Sequence, residues 1–176
     1  MQGVSLIEVL VSIVIASIGL LALAGVNASA VRYTKMSQYR ATATQLVNDI
    51  GERMRANKQG FINGSYDFTI NFAGQAAKPV LSAGELCDLP SSSCDAAQIA
   101  NLDLKQWRIL VRDQLPEGTV FLSRLATEVS ANVWVVWRDP AVANNDEAPA
   151  LALECPDGLD LAGDKSVRCS YFRINL

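Results

Sequence analysis

The feature that most constrains this chain is an apolar run over residues 4–26. The run contains 23 residues, within the range of about 17–25 that an α-helix needs to cross a bilayer. A single charged residue, Glu8, interrupts it, and no further charge follows before Arg32. The sequence therefore predicts a membrane-length helix with one carboxylate near its start.

A carboxylate in this position needs an explanation, because one in hydrocarbon costs about 2.5–3.5 kcal/mol. If the chain were cut between Gly3 and Val4, the new terminal amine would lie four residues before Glu8, on the same helix face. The carboxylate could then neutralise that amine or the amine of a neighbouring chain. It would also be favoured by the helix dipole. We therefore interpret Glu8 as a functional residue.

Two simpler interpretations of the run are a secretory signal and a plain membrane anchor. A signal peptide has a basic start, a short apolar core and a cleavage site after the core. This core is longer, continues into helix-like sequence and follows Met-Gln-Gly, which carries no basic residue. A plain anchor stays open as an alternative, although it leaves Glu8 unexplained.

The stretch GVSLIEVL at residues 3–10 resembles the N-terminus of type IV pilins and the related pseudopilins. The resemblance implies that a prepilin peptidase cuts after Gly3 and methylates the amine of Val4. It also implies that Glu8 is the assembly carboxylate, which pairs with the terminal amine of an adjacent subunit. Two features differ from the common family pattern: Val4 replaces the usual Phe, and the leader carries no Lys or Arg. A longer native leader would supply those basic residues.

Beyond the apolar run, the pattern becomes amphipathic and predicts that the same helix continues to residue 56. No proline occurs before Pro79. Apolar residues recur there at spacings of three and four, which gives one stripe to pack on a domain. Three glycines inside this helix mark either points of bending or close packing between helices; they are Gly19, Gly25 and Gly51.

The rest of the chain predicts a small α+β head. Alternating apolar residues predict a strand over residues 66–72, and a helix is predicted over 95–115 with Leu104, Trp107, Leu110, Val111 and Leu115 on its buried face. Further strands are predicted at 120–122, 129–137, 151–154 and 167–176, with a polar loop at 139–149. The strand at 129–137 is apolar on both faces, which indicates a central position.

Four cysteines predict disulfide bonds in an oxidising compartment. The chain has no histidine and no CxxC pair, which argues against a zinc site. Four cysteines allow three connectivities, and we predict pairing between neighbours, with buried free thiols as the alternative. The predicted pairs are Cys87 with Cys94 and Cys155 with Cys169.

The predicted fold class is therefore α+β: a long N-terminal α-helix whose second half packs on an antiparallel sheet with one further helix. The predicted divisions are a leader at 1–3, an apolar membrane and assembly helix at 4–30, an amphipathic half at 31–58 and a globular head at 59–176. Looser motifs resemble the PilV-type minor pilins. They are ERMRAN at 52–57, Trp107 followed by LPEG at 115–118, and a Val- and Trp-rich strand that ends in Arg138.

Several function classes are disfavoured by the sequence. Without histidine, Ser-His-Asp and Cys-His arrangements are excluded, and no phosphate-binding glycine motif is present. A net charge of −3 and a pI near 4.9 argue against nucleic acid as the main partner. We therefore expect no enzymatic activity, no cofactor, no metal and no nucleic-acid partner.

The resulting prediction is a minor pilin of a type IV pilus that helps to start assembly or lies at the fibre tip, with adhesion and twitching motility as implied roles. The expected partners are other minor pilins, the major pilin, prepilin peptidase, the inner-membrane assembly platform and lipid. Before assembly the chain is expected to cross the inner membrane once with its head in the periplasm, since large domains translocate largely regardless of charge; after assembly it is expected in the surface pilus. A minor pseudopilin of type II secretion and a permanently anchored periplasmic binding or adhesion module stay open as alternatives.

Overall fold

The computed structural model describes residues 5–87, 93–125, 128–139, 155–161, 164 and 166–176. The chain divides into two compact units, Met1–Gln38 and Tyr39–Leu176. The division of the chain that the sequence predicts, into a leader, two helix halves and a head, stays a prediction.

Helix α1 covers Leu6–Ala56 without interruption, which confirms the predicted long helix over the described residues. Its charges suit the helix dipole, because Glu8 lies in the first turn while Arg53 and Arg55 lie in the last. Residues 5–35 are all exposed, and burial begins only in the second unit, at Ala43. The predicted apolar stripe is confirmed there; its buried members are Ala43, Leu46, Val47, Ile50 and Met54.

In the described part of the second unit, two further helices and three strands follow. The helices are α2, Lys58–Ile62, and α3, Ala96–Gln114; the strands are β1, Thr119–Leu125, β2, Ser130–Arg138, and β3, Val167–Asn175. Helix α2 follows α1 almost directly and has no counterpart among the elements that the sequence predicts. Its start is fixed by Asn57, whose side chain accepts a hydrogen bond from the Gly60 backbone N–H at 3.2 Å.

Helix α3 begins and ends where the sequence predicts. Asp95 caps its start by accepting hydrogen bonds from the backbone N–H groups of Ala97 and Gln98, and the Gln98 side chain bonds back to Asp95 N. The predicted buried face is correct for Leu104, Trp107, Val111 and Leu115. It is wrong for Leu110, which is 36 % exposed because α3 packs on α1 and the sheet along a narrower stripe.

The three strands form one antiparallel sheet in the order β1-β2-β3. The central position predicted for residues 129–137 is thus confirmed for β2. In the register, Val133 lies opposite Leu122 of β1 and Phe172 of β3. Since side chains alternate between faces, Val133, Val135 and Trp137 join the core with the helices, while Val136 joins a second cluster on the other face.

The main core lies between the second half of α1, helix α3 and the inner face of the sheet. Trp107 of α3 is fully buried, and its indole Nε1–H donates a hydrogen bond to the Leu46 carbonyl of α1 at 2.7 Å. The contact satisfies a buried indole donor and fixes the two helices together. These elements confirm the α+β fold class.

A polar network borders this core at the end of α1. Arg53 pairs with Asp49 at 3.1 Å and with Asp103 of α3 at 3.2 Å, and it also donates to Gln106 at 2.7 Å. The Tyr66 hydroxyl donates to the second oxygen of Asp103. The network therefore joins α1, α3 and the segment after α2.

The outer face of the sheet carries the second, smaller cluster. Leu159 and Val136 are fully buried there, against Phe121 and Val167. A disulfide joins Cys169 of β3 to Cys155, just before a short 3-10 turn at Asp157–Leu159. This bond holds residues 155–161 against the sheet.

The strand predicted over residues 66–72 is wrong. Only Phe68 pairs with the sheet, through an isolated antiparallel bridge to Leu122. The alternation arises because Tyr66 and Phe68 pack on the main core, whereas Phe72 packs on the second cluster. Ile70 is 45 % exposed, so the segment crosses the edge of the sheet instead of extending it.

Other sequence predictions fall on parts of the chain that the structure does not describe. The predicted strand at 151–154 lies outside the described residues, and so does the predicted loop at 139–149 except for Asp139. The second disulfide joins Cys87 to Cys94. Residues 88–92, between these two cysteines, lie outside the described residues.

Candidate functional site

The candidate site is the start of α1, where Glu8 occupies the third helical position after Ser5. The Ser5 backbone N–H donates to Glu8 Oε2 at 3.0 Å, and the Ser5 carbonyl accepts from the Glu8 N–H at 3.0 Å. This arrangement is one half of a capping box. It gives Glu8 a local role that the sequence analysis did not predict, although the spacing Ser-x-x-Glu before an apolar run is a signal for it.

The cap uses only part of the hydrogen-bonding capacity of Glu8. A carboxylate can accept at both oxygens, and within the described residues Oε1 has no bonded partner and no cation pairs with the group. The side chain is exposed. Glu8 can therefore bind a second donor, such as an amine, without giving up the cap.

Three serine hydroxyls along the first half of α1 are satisfied within the helix. Ser12 donates to the Glu8 carbonyl at 2.7 Å, Ser17 to the Val14 carbonyl at 2.8 Å and Ser29 to the Gly25 carbonyl at 3.1 Å. Hydroxyls bonded in this way carry little desolvation cost into an apolar environment. Glu8 is the only ionisable side chain between residues 5 and 31.

The surface around Glu8 is apolar on all sides of the helix. Every large aliphatic side chain between Leu6 and Val31 is at least 46 % exposed. By length and composition, α1 is apolar enough to cross a membrane, with a mean hydropathy of 2.7 over its most apolar 18 residues. A chain with this surface needs lipid or other apolar helices around it.

The remaining predicted site residues divide into two groups. Gly3 and Val4 lie outside the described residues. The four cysteines form the bonds described above, which are the pairs chosen from the sequence. Across the described ranges, no three Asp, Glu, Cys or His side chains come together as a metal site requires.

Comparison with known families supports the interpretation of the N-terminus. The family model described as the prokaryotic N-terminal methylation motif matches residues 1–24. This match supports a type IV pilin-like, prepilin family. No curated protein and no solved structure gives a significant match to the chain.

The motifs that resemble PilV-type minor pilins all make internal contacts of the head. In the first motif, Arg53 holds the polar network and Arg55 donates to the Asn175 carbonyl at 3.2 Å. Arg138 pairs with Glu117 of the LPEG stretch at 2.9 Å. At Gly118 an added Cβ would lie 2.3 Å from the Val111 carbonyl oxygen. These contacts show that the residues of the motifs stabilise the folded head. The motifs therefore do not identify the chain as a minor pilin.

Proposed function

We propose that the protein is a minor pilin subunit of a type IV pilus, which joins the fibre at or near its tip and helps to start assembly. The observation that carries this proposal is the one carboxylate, Glu8, with an uncommitted oxygen at the start of a helix whose apolar surface is exposed on all sides. The methylation motif at residues 1–24 supports the same conclusion.

The proposed mechanism begins with cleavage after Gly3 by prepilin peptidase and methylation of Val4. The mature helix stays in the inner membrane, with the head in the periplasm, until the assembly platform moves it into a bundle of similar helices. There Glu8 neutralises the terminal amine of an adjacent subunit, which offsets the cost of about 2.5–3.5 kcal/mol of a carboxylate in hydrocarbon. The neighbours are other minor pilins and the major pilin, and the assembled protein lies in the pilus at the cell surface.

The substitution Glu8→Gln tests this mechanism, because it removes the charge and keeps the size of the side chain. We expect normal cleavage and methylation, but roughly a hundredfold less protein in sheared fibres, because the neighbour's terminal amine would stay an unpaired charge among apolar helices, at a cost of about 3 kcal/mol. The measurement is quantitative mass spectrometry of membranes and fibres. Glu52→Gln is the matched control, since Glu52 is an exposed carboxylate of the same helix whose one ion pair among the described residues is with Arg55.

Equal incorporation of Glu8→Gln and the control would contradict the assembly role. N-terminal sequencing of the wild-type protein separates the alternatives: a chain that retains Gly3 in membranes is a permanent anchor. If the chain is processed, its deletion distinguishes the other two alternatives. Deletion that stops protein secretion but leaves pili intact identifies a pseudopilin of type II secretion.

A further inference from the structure

Two cations directly after the apolar run of α1, Arg32 and Lys35, differ from many cations of the head in having no carboxylate beside them. Several cationic side chains of the second unit lie within 4.0 Å of a carboxylate; they are Arg53, Arg55, Lys78, Lys105, Arg138, Arg168 and Arg173. Among the described residues, Lys35 donates only to the Gln38 side chain, at 3.4 Å, and Arg32 makes no ion pair. Both side chains are exposed, so both are free to bind an anion.

The sequence around these two cations contains no acid that could neutralise them. No Asp or Glu occurs between Glu8 and Asp49. Arg32 and Lys35 are three residues apart, so they are neighbours on one face of the helix, where like charges repel each other. The whole chain carries a net charge of −3, so this local excess of positive charge is not part of a generally basic protein.

The position of Arg32 along α1 matches the thickness of a bilayer. No charge lies between Glu8 and Arg32, and the helix rises by about 36 Å between them. The hydrocarbon core of a bilayer is about 30 Å thick, and about 40–45 Å with the headgroup layers. When α1 crosses a membrane, Glu8 and Arg32 therefore reach opposite headgroup layers. Tyr33, which is 71 % exposed, is of the residue type that is enriched at this level.

We propose that Arg32 and Lys35 bind the phosphate groups of anionic phospholipids while α1 crosses the membrane. This inference rests on the proposed function, in which the helix stays in the inner membrane until assembly. The guanidinium of Arg32 holds a phosphate through two parallel hydrogen bonds, and the ammonium of Lys35 acts as a point charge beside it.

Charge complementarity and continuity with the apolar surface favour lipid as the partner. The two cations directly follow an apolar surface that itself needs lipid or other helices around it. A lipid with a net negative charge is preferred to a zwitterionic one, because the cationic end of a zwitterionic headgroup is repelled by the same two side chains.

Electron paramagnetic resonance of spin-labelled lipids tests this proposal on the full chain. The protein is placed in phosphatidylcholine vesicles that contain a trace of spin-labelled phosphatidylglycerol or of spin-labelled phosphatidylcholine. For the wild type we expect a roughly five-fold higher affinity for phosphatidylglycerol at low salt. The double variant Arg32→Gln with Lys35→Gln should bind the two lipids about equally, and high salt should weaken the wild-type preference.

Lys58→Gln is the matched control for the single variant Lys35→Gln. Lys58 is also exposed and makes no ion pair among the described residues, but it belongs to α2 of the head. We expect Lys35→Gln to lower the lipid preference roughly two-fold and Lys58→Gln to leave it unchanged, with circular dichroism as the check on folding. Equal affinity of the wild type for both lipids overturns the proposal, and so does a preference that survives in the double variant. An equal loss in Lys58→Gln would show a general effect of charge and would overturn it as well.

Fibre content separates this proposal from a contact between subunits and from the pilin role. A double variant that keeps the lipid preference but is lost from fibres would identify an acidic surface of a neighbouring subunit as the partner and would overturn the lipid site. Absence of the wild-type chain from fibres overturns the pilin role. The lipid preference is measured in vesicles without assembly, so its failure leaves the pilin role intact.

Discussion

At the residue scale, Tyr66 shows how the head uses a buried polar group. The side chain is 1 % exposed, and its hydroxyl donates to Asp103 within the network around Arg53. Burial, together with this hydrogen bond to a carboxylate, raises the pKa of Tyr66 well above its ordinary value near 10. The folded head therefore keeps this proton at pH values where an unfolded chain loses it.

The first prediction concerns stability at high pH. Above about pH 10 the unfolded state binds fewer protons at Tyr66 than the folded state, so this group alone lowers the free energy of unfolding by about 1.4 kcal/mol per pH unit. Below pH 10 its contribution is fully present. Chemical denaturation between pH 9 and 12 should show a shallower decline for Tyr66→Phe than for the wild type.

Tyr171→Phe is the control for this prediction, because it removes the hydroxyl of an exposed tyrosine and leaves the network around Asp103 intact. Identical slopes for Tyr66→Phe and the wild type would show that Tyr66 loses its proton in the folded head as well.

At the element scale, the sequence predicts elements whose burial follows a single period. Helices α1 and α3 each bury one face, and strand β2 buries both of its faces. The spacing of the apolar residues in each element indicates this directly. The segment around Phe68 fails because its alternate residues serve two different clusters, a property of the tertiary structure. Helix α2 is too short for a period, and only its capping residue, Asn57, marks it.

The candidate site shows the same limit. Glu8 stands out in the sequence because it is alone among apolar residues, and the spacing from Ser5 marks the cap. The packing around Gly51 has no such signal. It depends on the proximity of Gly51 to Ile174, two residues far apart in the chain, and glycine alone indicates either bending or packing.

A second prediction compares the two disulfides. Cys155–Cys169 closes the longer loop, with a sequence separation of 14 against 7 for Cys87–Cys94. Chain entropy gives about 3 kcal/mol for the longer loop and about 2.5 kcal/mol for the shorter one. Cys169 is also 4 % exposed within the second cluster, so its replacement leaves a cavity as well.

Denaturant unfolding of two double variants measures this difference. Cys155→Ala with Cys169→Ala should lower the free energy of unfolding by about 3 kcal/mol or more, and by more than Cys87→Ala with Cys94→Ala. The reverse order would mean that the contacts of residues 155–161 with the sheet hold without the bond.

At the scale of the whole molecule, the two units differ in what covers their apolar surface. The second unit buries its apolar side chains in the core between α1, α3 and the sheet. The first unit buries none of its described residues and depends on lipid or on other helices. The same continuous helix thus provides a core element in one unit and an uncovered apolar surface in the other.

This difference predicts where the chain can be shortened. A variant comprising residues 35–176 loses the apolar run but keeps every buried residue of α1 and one helical turn before Tyr39. It should be soluble without detergent and unfold within about 1 kcal/mol of the full chain, as expected when only exposed residues are removed. A variant comprising residues 49–176 is the control, because it also loses Ala43, Leu46 and Val47.

The shorter variant removes more than apolar area. Each large buried side chain contributes about 1.5–3 kcal/mol, and Trp107 loses the Leu46 carbonyl that accepts its indole N–H. A domain of this size has about 5–15 kcal/mol of stability in total, so residues 49–176 should be largely unfolded by circular dichroism. If residues 35–176 were equally unfolded, the first unit would be needed for folding, and the separation between an exposed apolar helix and a self-sufficient head would be wrong.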